Sequence, residues 1–99
     1  MATTCMLSKL KIYTFLINQF VISSCAAVIG NEAFERSLDQ KEIKRAAFKR
    51  CKQRILLIDH TKFSAHGTYR LSALSEYDLV VTDTVPPEGL DVGNAKLIY

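Results

Sequence analysis

The sequence predicts an α/β fold: a partial, open, mainly parallel sheet with one well-defined helix. Three observations carry that prediction. A segment of helical periodicity runs from Asp39 to Lys52, and an unbroken apolar run, Ile55-Leu56-Leu57-Ile58, follows it after almost no loop. Further short apolar runs recur downstream, separated by polar turns. A helix leading directly into a strand that is apolar at every position is the second half of a β-α-β crossover, because a strand covered on both faces has no solvent side to keep polar.

The amino end is the least regular part. Lys9 and Lys11 precede the apolar run Ile12 to Ile17, and after Asn18-Gln19 comes Phe20-Val21-Ile22-Ser23-Ser24-Cys25-Ala26-Ala27-Val28-Ile29. Cations, then an apolar run, then small residues around Cys25 give one reading, an export signal. Against it, Asn18 and Gln19 interrupt the run, and Ile12 to Phe15 holds bulky β-formers rather than leucine and alanine. No uninterrupted stretch reaches the ~18 apolar residues that a membrane-spanning helix needs. The other reading is a core strand over Phe20 to Ile29.

In the helix, Ile43, Ala46, Ala47 and Cys51 recur at spacings of three and four and form one stripe, with Phe48 beside it. Ser37 or Asp39 is placed to cap it, with Glu42 three residues after Asp39 as a capping-box partner. Lys49, Arg50 and Lys52 fall in the last turn, where cations complement the helix dipole. The strand over Ile55 to Ile58 is expected to be buried on both faces. Tyr69 to Leu71, Asp78 to Thr82 and Ala95 to Ile98 read as three further short strands. Pro86-Pro87-Glu88-Gly89 breaks the chain between the last two, with a turn or short helix at Glu88 to Val92.

With 99 residues the chain suits one domain, and a domain of that size buries about two-thirds of its unfolded surface. The 48% hydrophobic and 23% charged content is that of a soluble globular protein, and there is no internal repeat or low-complexity tract. The net charge of +3 hides an asymmetry. Lys41, Lys44, Arg45, Lys49, Arg50, Lys52 and Arg54 form a basic segment, whereas Glu76, Asp78, Asp83, Glu88 and Asp91 make the last quarter acidic. The basic segment invites a nucleic-acid reading. It lacks interleaved aromatics and a following recognition helix, so the solvated face of an amphipathic helix accounts for it more simply. Cys5, Cys25 and Cys51 show no metal-ligand spacing, and His60 and His66 do not complete one. No metal or cofactor is expected, and three scattered thiols fit a reducing cytoplasm.

In open parallel sheets, ligands bind beyond the carboxyl ends of the strands. Two strand ends here carry polar residues: Asp59-His60-Thr61-Lys62-Phe63 after the apolar run, and Thr82-Asp83 after Leu79-Val80-Val81. Asp59 is placed to orient a loop or a ligand hydroxyl, and Lys62 to set an ammonium against an anionic phosphate. Loop capping and an ordinary surface lysine are the plainer readings of the same two residues.

The run Gln40-Lys41-Glu42-Ile43-Lys44-Arg45-Ala46-Ala47-Phe48, then Arg54-Ile55-Leu56-Leu57-Ile58-Asp59-His60-Thr61-Lys62-Phe63, then Leu74-Ser75-Glu76-Tyr77-Asp78-Leu79-Val80-Val81-Thr82-Asp83 resembles the C-terminal part of DeoR-type bacterial transcription regulators. Their pattern is close to E-x-x-V-K-R-A-x-I, V-x-L-L-x-D-x-S-K-F, a Leu-Ser segment and D-x-x-I-T-D. Order and spacing agree over roughly residues 20 to 99, and the three blocks together are specific. The resemblance implies a sheet of the sugar-phosphate isomerase and CoA-transferase type that binds phosphorylated sugars or polyols at its carboxyl edge. It implies effector contacts at Asp59 and Lys62, with the lysine near the phosphate. Glu42 is a candidate for sugar hydroxyls, and Lys44, with Arg45, for the ligand or an oligomer contact. Thr82 and Asp83 are expected to be architectural. Thr61 stands where the pattern has serine.

Residues 1–19 match nothing in that pattern, so the chain divides into an unmatched segment, 1–19, and a partial effector-binding domain, 20–99. Neither a winged helix-turn-helix nor the Gly- and Thr-rich loops that open such effector domains stand ahead of residue 20. The expected function is therefore that of a truncated cytoplasmic repressor fragment from a sugar or polyol operon. It would sense a sugar phosphate and bind neither DNA nor membrane. It is not expected to be an enzyme. The alternative is a small isomerase-like enzyme with Glu42 or Asp59 as general base and Lys62 as phosphate anchor. A small exported protein is a third reading, resting on residues 9 to 29. An open sheet without its first strands leaves an unpaired edge and an apolar face, so a homo-oligomer is expected.

Overall fold

A computed structural model describes residues 14–17 and 20–99, with side chains from Phe20 onward. Lys9 and Lys11, the cationic start of the export reading, lie outside the described residues. The elements in chain order are β1 (Thr14–Ile17), β2 (Phe20–Ser23), β3 (Ala27–Ile29), β4 (Glu32–Glu35), α1 (Leu38–Arg50), β5 (Gln53–Ile58), a 3-10 helix (His60–Ser64), β6 (Tyr69–Ala73), a 3-10 turn (Leu74–Glu76), β7 (Leu79–Thr82) and β8 (Lys96–Ile98). They form two sheets. The larger has the order β1-β2-β5-β7-β8, and the smaller is β3-β4-β6. In the larger sheet β2, β5, β7 and β8 run parallel and only β1 is antiparallel, so the α/β, mainly parallel prediction holds.

The smaller sheet is antiparallel throughout and corrects two expectations. Phe20 to Ile29 is not one strand. β2 belongs to the parallel sheet and β3 to the antiparallel one, and the chain turns at Ser24 to Ala26. Ser24 ends the first ladder because its carbonyl accepts from the Lys44 ammonium at 2.8 Å, and the Ala26 N–H already donates to the Phe34 carbonyl at 2.9 Å. Both backbone groups are satisfied outside a continuing parallel ladder. The run beginning at Tyr69 likewise joins β4 rather than the parallel sheet.

The core lies between the two sheets and α1. Val21, Leu56, Ile58 and Val80 point to it from the parallel sheet, and Val28, Ala33, Leu71, Leu74, Tyr77, Ala47 and Phe48 complete it. Each fully buried Val, Leu or Phe here contributes roughly 1.5–3 kcal/mol relative to exposure. The other face of β5 is only half-buried at Ile55 and Leu57, so burial on both faces is not reached by the described residues.

The helix is where expected, but its buried stripe is rotated. Ser37 caps it, accepting from the Gln40 N–H at 3.3 Å, and the Asp39–Glu42 capping box is not formed. Lys44, Ala47 and Phe48 face the core, whereas Ile43 is 42% exposed and Ala46 is exposed. The reason is volume and charge together. Phe48 fills the core edge-on to Tyr77, with ring centroids 5.6 Å apart at 86°. Turning Phe48 inward brings Lys44 with it, four residues back on the same stripe. Lys44 tolerates this because Glu35 meets it.

Candidate functional site

The parallel strands β2, β5 and β7 end side by side. Ser23 pairs with Leu56 and Ile58 with Thr82, so Ser24 and Thr82 flank the chain as it leaves β5 into Asp59. Asp59 caps the 3-10 helix, its Oδ1 accepting from the Thr61 N–H at 2.9 Å and from the Thr61 hydroxyl. That hydroxyl is the feature kept where the motif has serine. Lys62 Nζ lies 3.6 Å from Asp59 Oδ2, and the two side chains are 27% and 29% exposed, open enough for a ligand to reach. Burial works to raise the Asp59 pKa, but the Thr61 hydrogen bonds and the Lys62 ammonium outweigh it and hold the carboxyl below the usual range. Asp59 is thus a fixed acceptor beside a partly exposed cation. His60 Nδ1 and Asp83 Oδ2, 3.2 Å apart, bridge the ends of β5 and β7 at the surface.

Lys44 has a different setting. It is 1% exposed, its ammonium 2.6 Å from Glu35 Oε2 and 2.8 Å from the Ser24 carbonyl, and Glu35 is 5% exposed. Ser23 Oγ donates to the same carbonyl at 2.9 Å. The pair thereby fixes the turn at the end of β2 from beneath. Cys25, next along, is 2% exposed and feels the charges of both this pair and the Asp59–Lys62 pair. Burial above all, then the Glu35 carboxylate, pushes its thiol up to about 12 against the opposing pull of Lys44 and Lys62. A thiol so far from ionising at neutral pH is inert. Iodoacetamide at pH 7.5 is expected to spare Cys25 in the folded chain and to label it within minutes in urea. Peptide mass mapping that finds Cys25 labelled in the native state would contradict this placement.

The structure brings Asp59 and Lys62 together and places Lys44 behind them. It does not bring Glu42 to the group. Glu42 is exposed, makes no hydrogen bond or ion pair among the described residues, and sits two residues from the inward-facing Lys44, on the opposite side of the helix. Glu35 and Ser24 were not singled out in the sequence. The Ser23-Ser24 pair closing an apolar run was a legible sign of a strand end, whereas Glu35 has no local signature.

Among the described residues, three buried side-chain atoms have no hydrogen-bond partner: Ser24 Oγ, Gln40 Oε1 and Thr82 Oγ1. Such a group typically costs about 1–3 kcal/mol, so native structures keep few of them. A pocket of about 300 Å³ opens one residue past Lys62, lined by Phe63, Val28, Gly30, Asn31 and the Pro87–Leu90 segment. That segment is tied to the β3–β4 turn by the Asp91 N–H donating to Asn31 Oδ1 at 2.8 Å.

The basic segment does not form one patch. Lys44 is buried, Arg45 binds Glu76 at 3.0 Å, and Arg54 donates to the Phe48 and Glu76 carbonyls. Only Lys49, Arg50 and Lys52 stand fully exposed, around the helix end. Among the described residues, no group of His, Cys, Asp and Glu is arranged to hold a metal ion, and no helix is long and apolar enough to cross a membrane.

Residues 2–84 match the family described as DeoR C terminal sensor domain. The match takes in every element from β1 to β7, includes Asp59, Lys62 and Thr82, and runs across the boundary placed at residue 20. No curated protein matches the chain.

Proposed function

The chain belongs to the family of DeoR C-terminal sensor domains, and from that membership we propose that it senses a phosphorylated sugar or polyol at the carboxyl edge of its parallel sheet. A sensor domain is a regulatory module that takes a small effector, not an enzyme. The observation that carries the finer reading is the Asp59–Lys62 pair at the end of the central strand β5, partly open to solvent and rigidly capped. Lys62 supplies the positive charge for the effector's phosphate, and Asp59 accepts from one of its hydroxyls. The isomerase alternative loses Glu42 as general base, since Glu42 stands apart from this pair, and keeps only Asp59.

In this reading the effector acts by binding one conformation of a cytoplasmic repressor of sugar or polyol use more tightly than another. A charge-assisted contact of the kind assigned to Lys62 is worth roughly 1.5–3 kcal/mol, or about 10- to 150-fold in Kd. The test is thermal unfolding with a panel of sugar and polyol phosphates. At a hundredfold excess over Kd a true effector stabilises by about 2.7 kcal/mol, which for a domain this size raises Tm by roughly ten degrees or more. Lys62→Ala is expected to remove about half of that rise or more at the same effector concentration. A panel without any stabilising member, or an unchanged response in Lys62→Ala, would sink the reading.

A further inference from the structure

The three partnerless buried atoms do not scatter through the fold. Ser24 follows the last residue of β2, Thr82 is the last residue of β7, and both flank the β5 exit at Asp59. Gln40 stands in the first turn of α1. Because β2 and β5 are parallel and α1 lies between them in sequence, the helix runs back against the strands and its first turn is at their carboxyl ends. Lys44, one turn beyond Gln40 on the same side, reaches the Ser24 carbonyl, which fixes that alignment. Ordinary packing gives no reason for all three orphans to share one edge, and that edge is where open parallel sheets receive ligands.

We infer that Ser24, Gln40 and Thr82 are the hydroxyl-reading groups of the effector site, arranged around the Asp59–Lys62 pair. This rests on the sensing function proposed above and assigns residues to it. Two hydroxyls that both donate and accept, and one amide oxygen that accepts, complement a run of adjacent ligand hydroxyls. With an ammonium at the same edge, the matching class is a sugar or polyol carrying a phosphate. An aliphatic phosphate would leave the three atoms unpaired. Ser24 and Thr82 are 7% and 6% exposed, so the ligand enters the edge by displacing the more exposed segment at 83–86. Movement of that segment is the signal of occupancy.

The test uses Ser24→Ala, Gln40→Leu and Thr82→Val in the full chain, each removing the polar atom at nearly constant volume. Fructose 6-phosphate, ribose 5-phosphate, glucitol 6-phosphate and inorganic phosphate serve as calorimetric probes. Each variant is expected to keep or raise the Tm of the free protein, since no native bond is lost. Each is expected to weaken the best sugar or polyol phosphate at least tenfold, leaving inorganic phosphate unchanged. Lys62→Ala is expected to weaken both kinds of probe. Sugar-phosphate binding that depends on Lys62 but is unchanged in all three variants overturns this inference alone. A marked fall in free-state Tm in all three overturns it as well, by revealing structural partners. Failure of every probe on the unmodified chain overturns both the inference and the sensing function.

Discussion

Lys44→Ala is expected to destabilise the domain by roughly 3–5 kcal/mol. The substitution leaves the Glu35 carboxylate, 5% exposed, without its cation, and removes one donor from the Ser24 carbonyl. Breaking a buried pair by deleting one partner costs roughly 3–5 kcal/mol, because the remaining charge stays desolvated. Total stability for a domain is only about 5–15 kcal/mol, so the loss is a large fraction of it. The double variant Lys44→Met with Glu35→Gln is expected to recover most of the loss, since no charge is then stranded. Urea unfolding of the unmodified chain, Lys44→Met, Glu35→Gln and the double variant gives the coupling directly. A loss below about 1 kcal/mol in Lys44→Ala would mean that the ammonium reaches water and that the pair is not buried.

Phe48→Ala is expected to cost a similar amount, about 3–5 kcal/mol. The ring is 2% exposed, meets Tyr77 edge-on, and carries the Arg45 and Arg54 guanidinium groups at 5.8 Å and 5.7 Å from its centroid. Removing it opens a cavity between α1 and the parallel sheet and takes the packing surface from both arginines. The Arg54 guanidinium and the Asp78 carboxylate, which accepts from the Arg54 N–H at 2.8 Å, lie at the start of β5 and β7. Loss of Phe48 therefore loosens the end of the sheet opposite the Asp59–Lys62 pair. The midpoint of urea unfolding measures it, and a shift equivalent to less than about 1 kcal/mol would contradict the core assignment.

Helix and central strand were legible because each is written locally. The three- and four-residue spacings of α1 and the unbroken apolar run of β5 need no distant partner to be recognised. The antiparallel sheet was not legible, because β4 is Glu32-Ala33-Phe34-Glu35, two acids around two apolar residues. Those acids suit a strand only once Arg70 meets Glu32 and Lys44 meets Glu35. Arg70 stands 38 residues from Glu32, and Lys44 stands nine residues from Glu35 on a different element, so neither pairing shows in the alternation of a strand-length window. The rotated helix stripe has the same origin: without Glu35, Ile43 is the better core residue and Lys44 the better surface residue.

The candidate site divides along the same line. Asp59 and Lys62 stood out as polar residues at the exit of an apolar strand, and the fold sets them 3.6 Å apart. Ser24 and Gln40 did not, because what marks them is the absence of a hydrogen-bond partner, and that depends on how three separate elements end at one edge. Thr82, expected to be architectural, ends β7 opposite Ile58, and among the described residues its hydroxyl has no hydrogen-bond partner.

Backbone amide chemical-shift mapping of the isotope-labelled chain, titrated with the tightest-binding sugar or polyol phosphate, tests the sensing account most directly. The account predicts perturbations concentrated at Ser24 to Ala26, Gln40, Asp59 to Phe63 and Thr82 to Thr84. Perturbations centred on Lys49 to Arg54, at the opposite end of the sheet, would contradict it.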